Sequence, residues 1–198
     1  MDYGPRSSSS IASVNDETQL IHSALQGESA SFGKLVTRYQ DRLFSCVLNV
    51  MGDPDESEDV VQESFVQAYL KRHTFQHNSQ FFTWLYRLAF NNALSRRRRR
   101  RTVLSLEVAR ESSGSEPTSQ GESPDTNLVR TEKIQQLRDA MLELSDDHRI
   151  ILTLREMQEM SYEDIAEVLA ISIGTVRSRL SRARNALKSQ LELSEDWR

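Results

Sequence analysis

Two stretches near the end of the chain, SYEDIAEVLA from Ser161 and SIGTVRSRLSRARNALK from Ser172, each carry the periodicity of an amphipathic helix, and only Ala170 and Ile171 separate the first helix from Ser172. In the first, Tyr162, Ile165, Ala166 and Leu169 recur at i, i+3, i+4 and i+7, which is one apolar face. Ser161 is suited to cap its N-terminus, and Asp164 three residues on makes a start of the capping-box kind. In the second, an advance of ~100° per residue gathers Val176, Leu180, Ala183 and Leu187 on one side. Arg177, Ser178, Ser181 and Arg182 point the other way. This helix has five bases (Arg177, Arg179, Arg182, Arg184, Lys188) and no acid, and Ser172 is placed to cap it. By itself a basic face also fits a solvated surface helix. With its neighbour it predicts a helix-turn-helix, with small Ala166 allowing close approach and no glycine in the turn. The outer face then offers donors to phosphates and base edges.

Composition bounds the rest. With 198 residues, 7 Gly, 4 Pro and few stretches of period two, the chain is expected to be all-α, in one or two small domains. Cys46 is the only cysteine, which excludes a disulfide within the chain and a cysteine-based zinc site, and fits a reducing cytoplasm. No apolar run approaches ~18 residues, so no membrane insertion is expected. The first residues, MDYGPRSSSSIAS, lack the apolar core of a signal peptide. The net charge of −4 hides strong segregation. Asp53 to Glu63 holds six acids and no base, whereas Arg96 to Arg101 is six consecutive arginines. Such separation suggests different surfaces for different partners.

The clearest boundary is Thr102 to Asn127, with six serines, two prolines and two glycines. It reads as a flexible linker that spans on the order of 25–30 Å as a coil and does not fix the distance between what it joins. The expected organisation is a disordered extension (1–15), a helical domain (16–101), the linker (102–127), a second helical domain with the helix-turn-helix (128–193) and a polar tail (194–198). In the first domain, helices are expected over Asp16–Gln26, Ser29–Met51 and Asp55–Arg72, and from Gln80 into the arginines, with a loop at His73–Ser79. In the second, a helix over Leu128–Leu142 and one capped by Ser145 precede the pair described above.

No active site is legible: there is no Gly-rich phosphate loop, no HExxH and no serine elbow. His73 and His77 stand four apart without a clear third ligand, so no metal and no cofactor is expected. The acids after Asp53 fit a helix N-terminus, where the dipole favours them. The second informative region is Thr74 to Arg101, where Phe75, Phe81, Phe82, Trp84, Tyr86 and Phe90 lie beside the arginine run. Aromatics stack unpaired bases while arginines hold the backbone. Helical spacing assigns Phe81, Trp84, Leu85 and Leu88 to a core, leaving Phe75, Tyr86 and Asn91 as candidate contacts to nucleic acid. The arginines read as DNA-binding or as a flexible basic arm, and the acidic patch is left free for a protein. A stand-alone helix-turn-helix regulator, dimeric on a palindrome, is the alternative; it has little use for the aromatic-basic region.

Three motifs in this order resemble the extracytoplasmic-function (ECF) sigma factors of the sigma-70 family: DESEDVVQESFVQAY (Asp55–Tyr69), FFTWLYRLAFNNAL (Phe81–Leu94) and LSDDHRIILTLREMQEMSYEDIAEVLAISIGTVRSRLSRAR (Leu144–Arg184). The resemblance spans about Asp16 to Leu191. It implies a sigma2 domain over 16–101 and a sigma4 domain over 128–193. It implies docking of RNA polymerase core, by its β′ clamp helices, on Asp59, Gln62 and Glu63, with a second contact to the β flap. It implies capture of the melted −10 strand by Phe75, Gln76, His77, Asn78, Ser79, Tyr86 and Asn91. Duplex −35 DNA would be read by Ser172, Thr175, Arg177, Ser178, Ser181 and Arg182. It further implies a cytoplasmic protein without catalytic activity of its own, restrained by an anti-sigma factor. Two departures bear on −10 preference: His77 stands where relatives often have glycine, and Ser95 where they commonly have an acid.

Overall fold

The structure is a computed structural model that describes residues 8–76, 79–108 and 128–193, and among these residues it contains eight α-helices and no strand. They are α1 (Ser8–Leu25), α2 (Ser29–Met51), α3 (Pro54–Leu70), α4 (Phe81–Val108), α5 (Leu128–Leu142), α6 (Asp146–Leu152), α7 (Tyr162–Leu169) and α8 (Ile173–Leu193). A 3-10 turn (Arg72–Thr74) follows α3, and a π-helical turn (Thr153–Met157) continues α6.

Local chemistry sets the boundaries. Gly52 ends α2 in the left-handed region, φ 78°, with its N–H on the Leu48 carbonyl. Asp53 then caps α3 by accepting from the Glu56 N–H at 2.9 Å, and Pro54 occupies the first turn, where its missing donor costs nothing. Asp55 and Glu56 in that turn complement the helix dipole. Ser145 and Ser161 cap α6 and α7 in the same way.

Helices α1–α4 enclose Leu35, Leu43, Val47, Val60, Leu85 and Phe90, and α5–α8 enclose Ile150, Ile151, Leu154, Ile165, Val176 and Leu180, all essentially buried. These two sets belong to one continuous apolar core, so the two helical units that the linker joins also pack on one another. Polar contacts close the seam. Tyr86 Oη lies 2.9 Å from Gln158 Oε1, and Arg42 Nε donates to the same oxygen at 2.7 Å. Arg149, 1% exposed, donates to the Met141 and Leu144 carbonyls of its own half and to the Val50 carbonyl of α2 at 2.7 Å. Arg97 donates to the same Val50 carbonyl at 2.9 Å and stands 2.9 Å from Asp146. Two cations thus satisfy the buried Val50 carbonyl at the C-terminal end of α2, where the helix dipole favours positive charge.

Two boundaries differ from the sequence reading. Helix α1 begins at Ser8 rather than Asp16, and α4 runs through the arginines to Val108. Arginine is a good helix former, and ion pairs from Arg96 and Arg100 fasten this part of α4 to α3, which offsets the repulsion of six adjacent cations. Residues 102–108 of the expected linker are therefore helix; the remainder of the linker, the tail 194–198, residues 1–7, His77 and Asn78 lie outside the described residues.

Candidate nucleic-acid interface

The helix-turn-helix is built as its sequence dictates, with one substitution of means. Ala170 takes the left-handed conformation usually given to glycine, φ 53° and ψ 46°. The Ile171 N–H then reaches the Ala166 carbonyl at 3.0 Å and the Ala170 N–H the Glu167 carbonyl at 3.3 Å, closing the end of α7. Ser172 Oγ accepts from the Thr175 N–H at 3.1 Å and lies 2.8 Å from Thr175 Oγ1, capping α8. Val176, Leu180 and Ala183 are buried, which fixes the rotation of α8. Arg177, Ser178, Ser181 and Arg182 consequently face solvent.

The five bases of α8 divide into two groups. Arg179 pairs with Asp147 at 3.2 Å, Arg184 with Glu156 at 2.7 Å and Lys188 with Glu192 at 3.6 Å. The hydrogen bond to Glu156 also holds the Arg184 guanidinium above its ordinary pKa. Among the described residues Arg177 and Arg182 make no ion pair; Arg182 Nε donates to the Ser178 carbonyl at 3.3 Å. The two unpaired guanidinium groups both lie on the outward face, beside the serines and the capped N-terminus that carries Ser172 and Thr175. Such a face offers forked donors and free backbone N–H groups to an anionic, base-bearing ligand.

The first half presents a second polar surface. Asn91, Ser95 and Arg99 follow at i, i+4 and i+8 along α4, and with Gln67, Glu63, Asn92 and Arg96 they line a groove of about 490 Å³ between α3 and α4. Beyond the N-terminal end of α4, Phe75, Ser79, Gln80 and Phe81 meet Glu17, Thr18 and Ile21 of α1 around an open cavity of about 350 Å³. Gln76 is exposed beside it.

Two aromatic expectations need correction. Tyr86 is not a surface contact: it is 1% exposed, packs on Phe82 and Phe90, and its hydroxyl is engaged at the seam by Gln158. Burial pushes that hydroxyl well above its usual pKa. The reason is rotational, since the face of α4 carrying Tyr86 and Phe90 is the one turned to α2 and the second half. Phe75 is likewise mostly buried, with ring centroids 5.7 Å from Phe81 and 5.5 Å from Trp84. It forms a wall of the cavity rather than a stacking platform in solvent.

The acidic patch is not free either. Arg96 Nη1 lies 3.0 Å from Asp59 Oδ2 and Nη2 3.4 Å from Glu63 Oε2, and Arg100 Nη1 lies 2.8 Å from Glu56 Oε1. The bond to Asp59 raises the pKa of Arg96. Asp59 and Gln62 remain exposed on the outer side of α3. Val66 and Leu70, 58% and 63% exposed, extend the same face. Sequence reasoning missed them, although both lie off the stripe of Val60, Val61, Phe65 and Ala68 that the helix buries. No group of three His, Cys, Asp or Glu side chains among the described residues is placed to hold a metal ion. Among the described residues no helix is long and apolar enough to cross a membrane.

Known proteins share this arrangement. Residues 35–103 match the family model for sigma-70 region 2, and residues 134–187 the model for sigma-70 region 4. The chain is 35% identical over 181 residues to the RNA polymerase sigma-H factor of Pseudomonas aeruginosa, covering 89% of this chain and 94% of that one. It is 33% identical over 171 residues to the ECF RNA polymerase sigma factor SigW of Bacillus subtilis, covering 84% and 91%. The ECF RNA polymerase sigma-E factor of Escherichia coli is 36% identical over 180 residues, covering 87% and 93%. Among solved structures, the sigma factor RpoE of Bartonella quintana, in complex with the anti-sigma factor NepR, superposes with a TM-score of 0.63 at 28% identity, covering 83% of this chain and 98% of that one. CnrH, in complex with the cytosolic domain of CnrY, shares the fold with a TM-score of 0.65 at 22% identity, covering 90% and 99%.

Proposed function

The chain belongs to the ECF group of the sigma-70 family, whose members direct RNA polymerase core to promoters, and from that premise we propose which of its surfaces meets which partner. The outward face of α8 reads duplex −35 DNA, with Arg177 and Arg182 on base edges or phosphates, Ser178 and Ser181 between them, and Ser172 and Thr175 at the helix N-terminus. One observation carries this reading. The helix pairs three of its five cations within the chain and leaves the other two on the face that its buried stripe turns outward.

The first half captures the melted −10 strand. Asn91 lies on the open groove of α4, Ser79 borders the cavity backed by Phe75, and Gln76 is exposed next to Phe75 in the chain. His77 and Asn78 complete the set by their place in the motif. Unpairing a base costs a few kcal/mol, which contacts in such a pocket offset. Polymerase core docks on the outer face of α3 at Asp59, Gln62 and Glu63, continued by Val66 and Leu70, and a second polymerase contact falls on the α5–α8 half. The sigma2 and sigma4 units are residues 16–101 and 128–193. An anti-sigma factor, such as the NepR found with RpoE of Bartonella quintana, is the proposed regulator. The chain acts in the cytoplasm, and polymerase performs all the chemistry.

Arg177→Ala and Arg182→Ala are each expected to cost ~1–3 kcal/mol in −35 binding, measured with holoenzyme on duplex promoter fragments. Unaltered binding and initiation in both variants would remove α8 from the reading role. Asp59→Arg is expected to weaken binding to core polymerase while leaving the helical circular dichroism intact.

A further inference from the structure

The arginine run and the acidic helix were expected to serve separate partners, but the structure pairs them with each other. Arg96 spans Asp59 and Glu63, and Arg100 holds Glu56. Asp59 and Glu63 are the carboxylates assigned above to polymerase. Glu63 and Arg96 also line the α3–α4 groove that holds Asn91, Ser95 and Arg99. A cation from polymerase and an in-chain guanidinium therefore compete for the same oxygens, and a guanidinium released from them sits beside the groove assigned to single-stranded DNA.

We propose that Arg96 and Arg100 are exchangeable partners: in the free protein Arg96 occupies the polymerase-docking carboxylates Asp59 and Glu63 and Arg100 the adjoining carboxylate Glu56, and when polymerase takes this acidic face of α3 the two guanidinium groups are transferred to the phosphates of the melted strand. The proposal rests on the docking and strand-capture assignments made above. The exchange is possible because the pairs are exposed. The side chains of Arg96 and Asp59 are 34% and 62% accessible, and those of Arg100 and Glu56 are 59% and 34% accessible. Exposed pairs are weak and open readily. More enclosed pairs, such as Arg97 with Asp146 at 19% and 13%, are not of this kind and stay with the fold. Linkage makes the effect reciprocal: whatever polymerase gains or loses at the carboxylates, the strand gains or loses at the arginines.

The test compares the wild-type chain, R96Q/R100Q, the charge-preserving R96K/R100K, Asp59→Asn, and K34Q/K188Q, which changes the net charge equally on α2 and α8. Binding to core polymerase is measured by titration, with circular dichroism and melting confirming the fold. R96Q/R100Q is expected to bind core about threefold to tenfold more tightly, because the competitors are gone. R96K/R100K should lie between it and the wild type, and K34Q/K188Q should not show the gain. In a second arm, holoenzyme binds a single-stranded −10 oligonucleotide across a salt series. Each phosphate neutralised on a single strand contributes about 0.7 to the slope, so R96Q/R100Q should lower it by about 1.4. Equal or weaker core binding by R96Q/R100Q, with Asp59→Asn still weakening it, overturns the exchange and leaves the docking surface standing. If Asp59→Asn binds core as the wild type does, the docking surface itself is wrong and the exchange falls with it. A slope unchanged in holoenzyme overturns the transfer to DNA.

Discussion

Ala170 carries a backbone conformation that L-residues with a Cβ avoid, at a cost of roughly 1–2 kcal/mol. The sequence shows that no glycine stands in the turn; it does not show how the turn is then made, because the answer lies in one φ angle. Replacing the residue removes the steric cost but lets the unfolded chain wander more, an opposing effect of roughly 0.5–1 kcal/mol. Ala170→Gly should therefore stabilise the protein by about 0.5–1 kcal/mol and raise its melting temperature by a few degrees, measured by thermal unfolding. A lower melting temperature would mean that the Ala170 methyl is engaged in packing that outweighs the strain. Glu159, exposed at φ 54°, is the other non-glycine residue of this kind among those described. The outward residues of α8 were legible in advance for a simpler reason. Three buried positions at helical spacing fix the rotation of a helix, and every remaining side chain follows.

At the scale of elements, caps and stripes gave helix boundaries to within a residue or two wherever a signal was strong, as at Ser29–Met51, Leu128–Leu142 and the pair around Ala170. Signals failed where the deciding contact is distant in the chain. Arginine's helix propensity carries α4 into the run, but six adjacent cations repel one another, and the carboxylates of α3, about forty residues earlier, offset that repulsion. Tyr86 fails for a similar cause, since the partners of its hydroxyl, Arg42 and Gln158, are 44 and 72 residues away. Gly52 joins the local and distant kinds of information. It ends α2 at φ 78°, which the sequence suggests, and a Cβ built there would stand 2.6 Å from Leu142 Cδ2 of α5, which the sequence does not. Gly52→Ala meets both obstacles, the backbone strain and the displacement of a side chain at the seam. It should destabilise by more than the ~1 kcal/mol of a simple left-handed cap, measured by urea unfolding. A loss well below that figure would show that Leu142 moves aside without cost.

Across the whole molecule, the seam between α1–α4 and α5–α8 decides whether the chain behaves as one body or two. Composition in the middle of the chain argues for two, because a Ser-, Pro- and Gly-bearing stretch fixes no distance. The described residues place one apolar core through both halves, with Gln158 as the acceptor shared by Tyr86 and Arg42. Removing that acceptor leaves the buried tyrosine hydroxyl only its longer bond to the Arg42 carbonyl, at 3.3 Å, a loss of about 1 kcal/mol. Cys46 supplies the reporter. It is fully buried in α2, and burial pushes its thiol far above the usual range, so the reactive thiolate is absent from the native state at neutral pH. Labelling by a thiol reagent must then proceed through opening, and its rate follows the population of the open form. Gln158→Ala should raise the labelling rate about tenfold for each ~1.4 kcal/mol lost, and lower the melting temperature in one transition that retains its single step. If labelling accelerates while a second, separate thermal transition appears, the halves unfold independently and the seam is a docking contact. If neither changes, Gln158 contributes nothing to holding Tyr86, and the halves are joined by their apolar contacts alone.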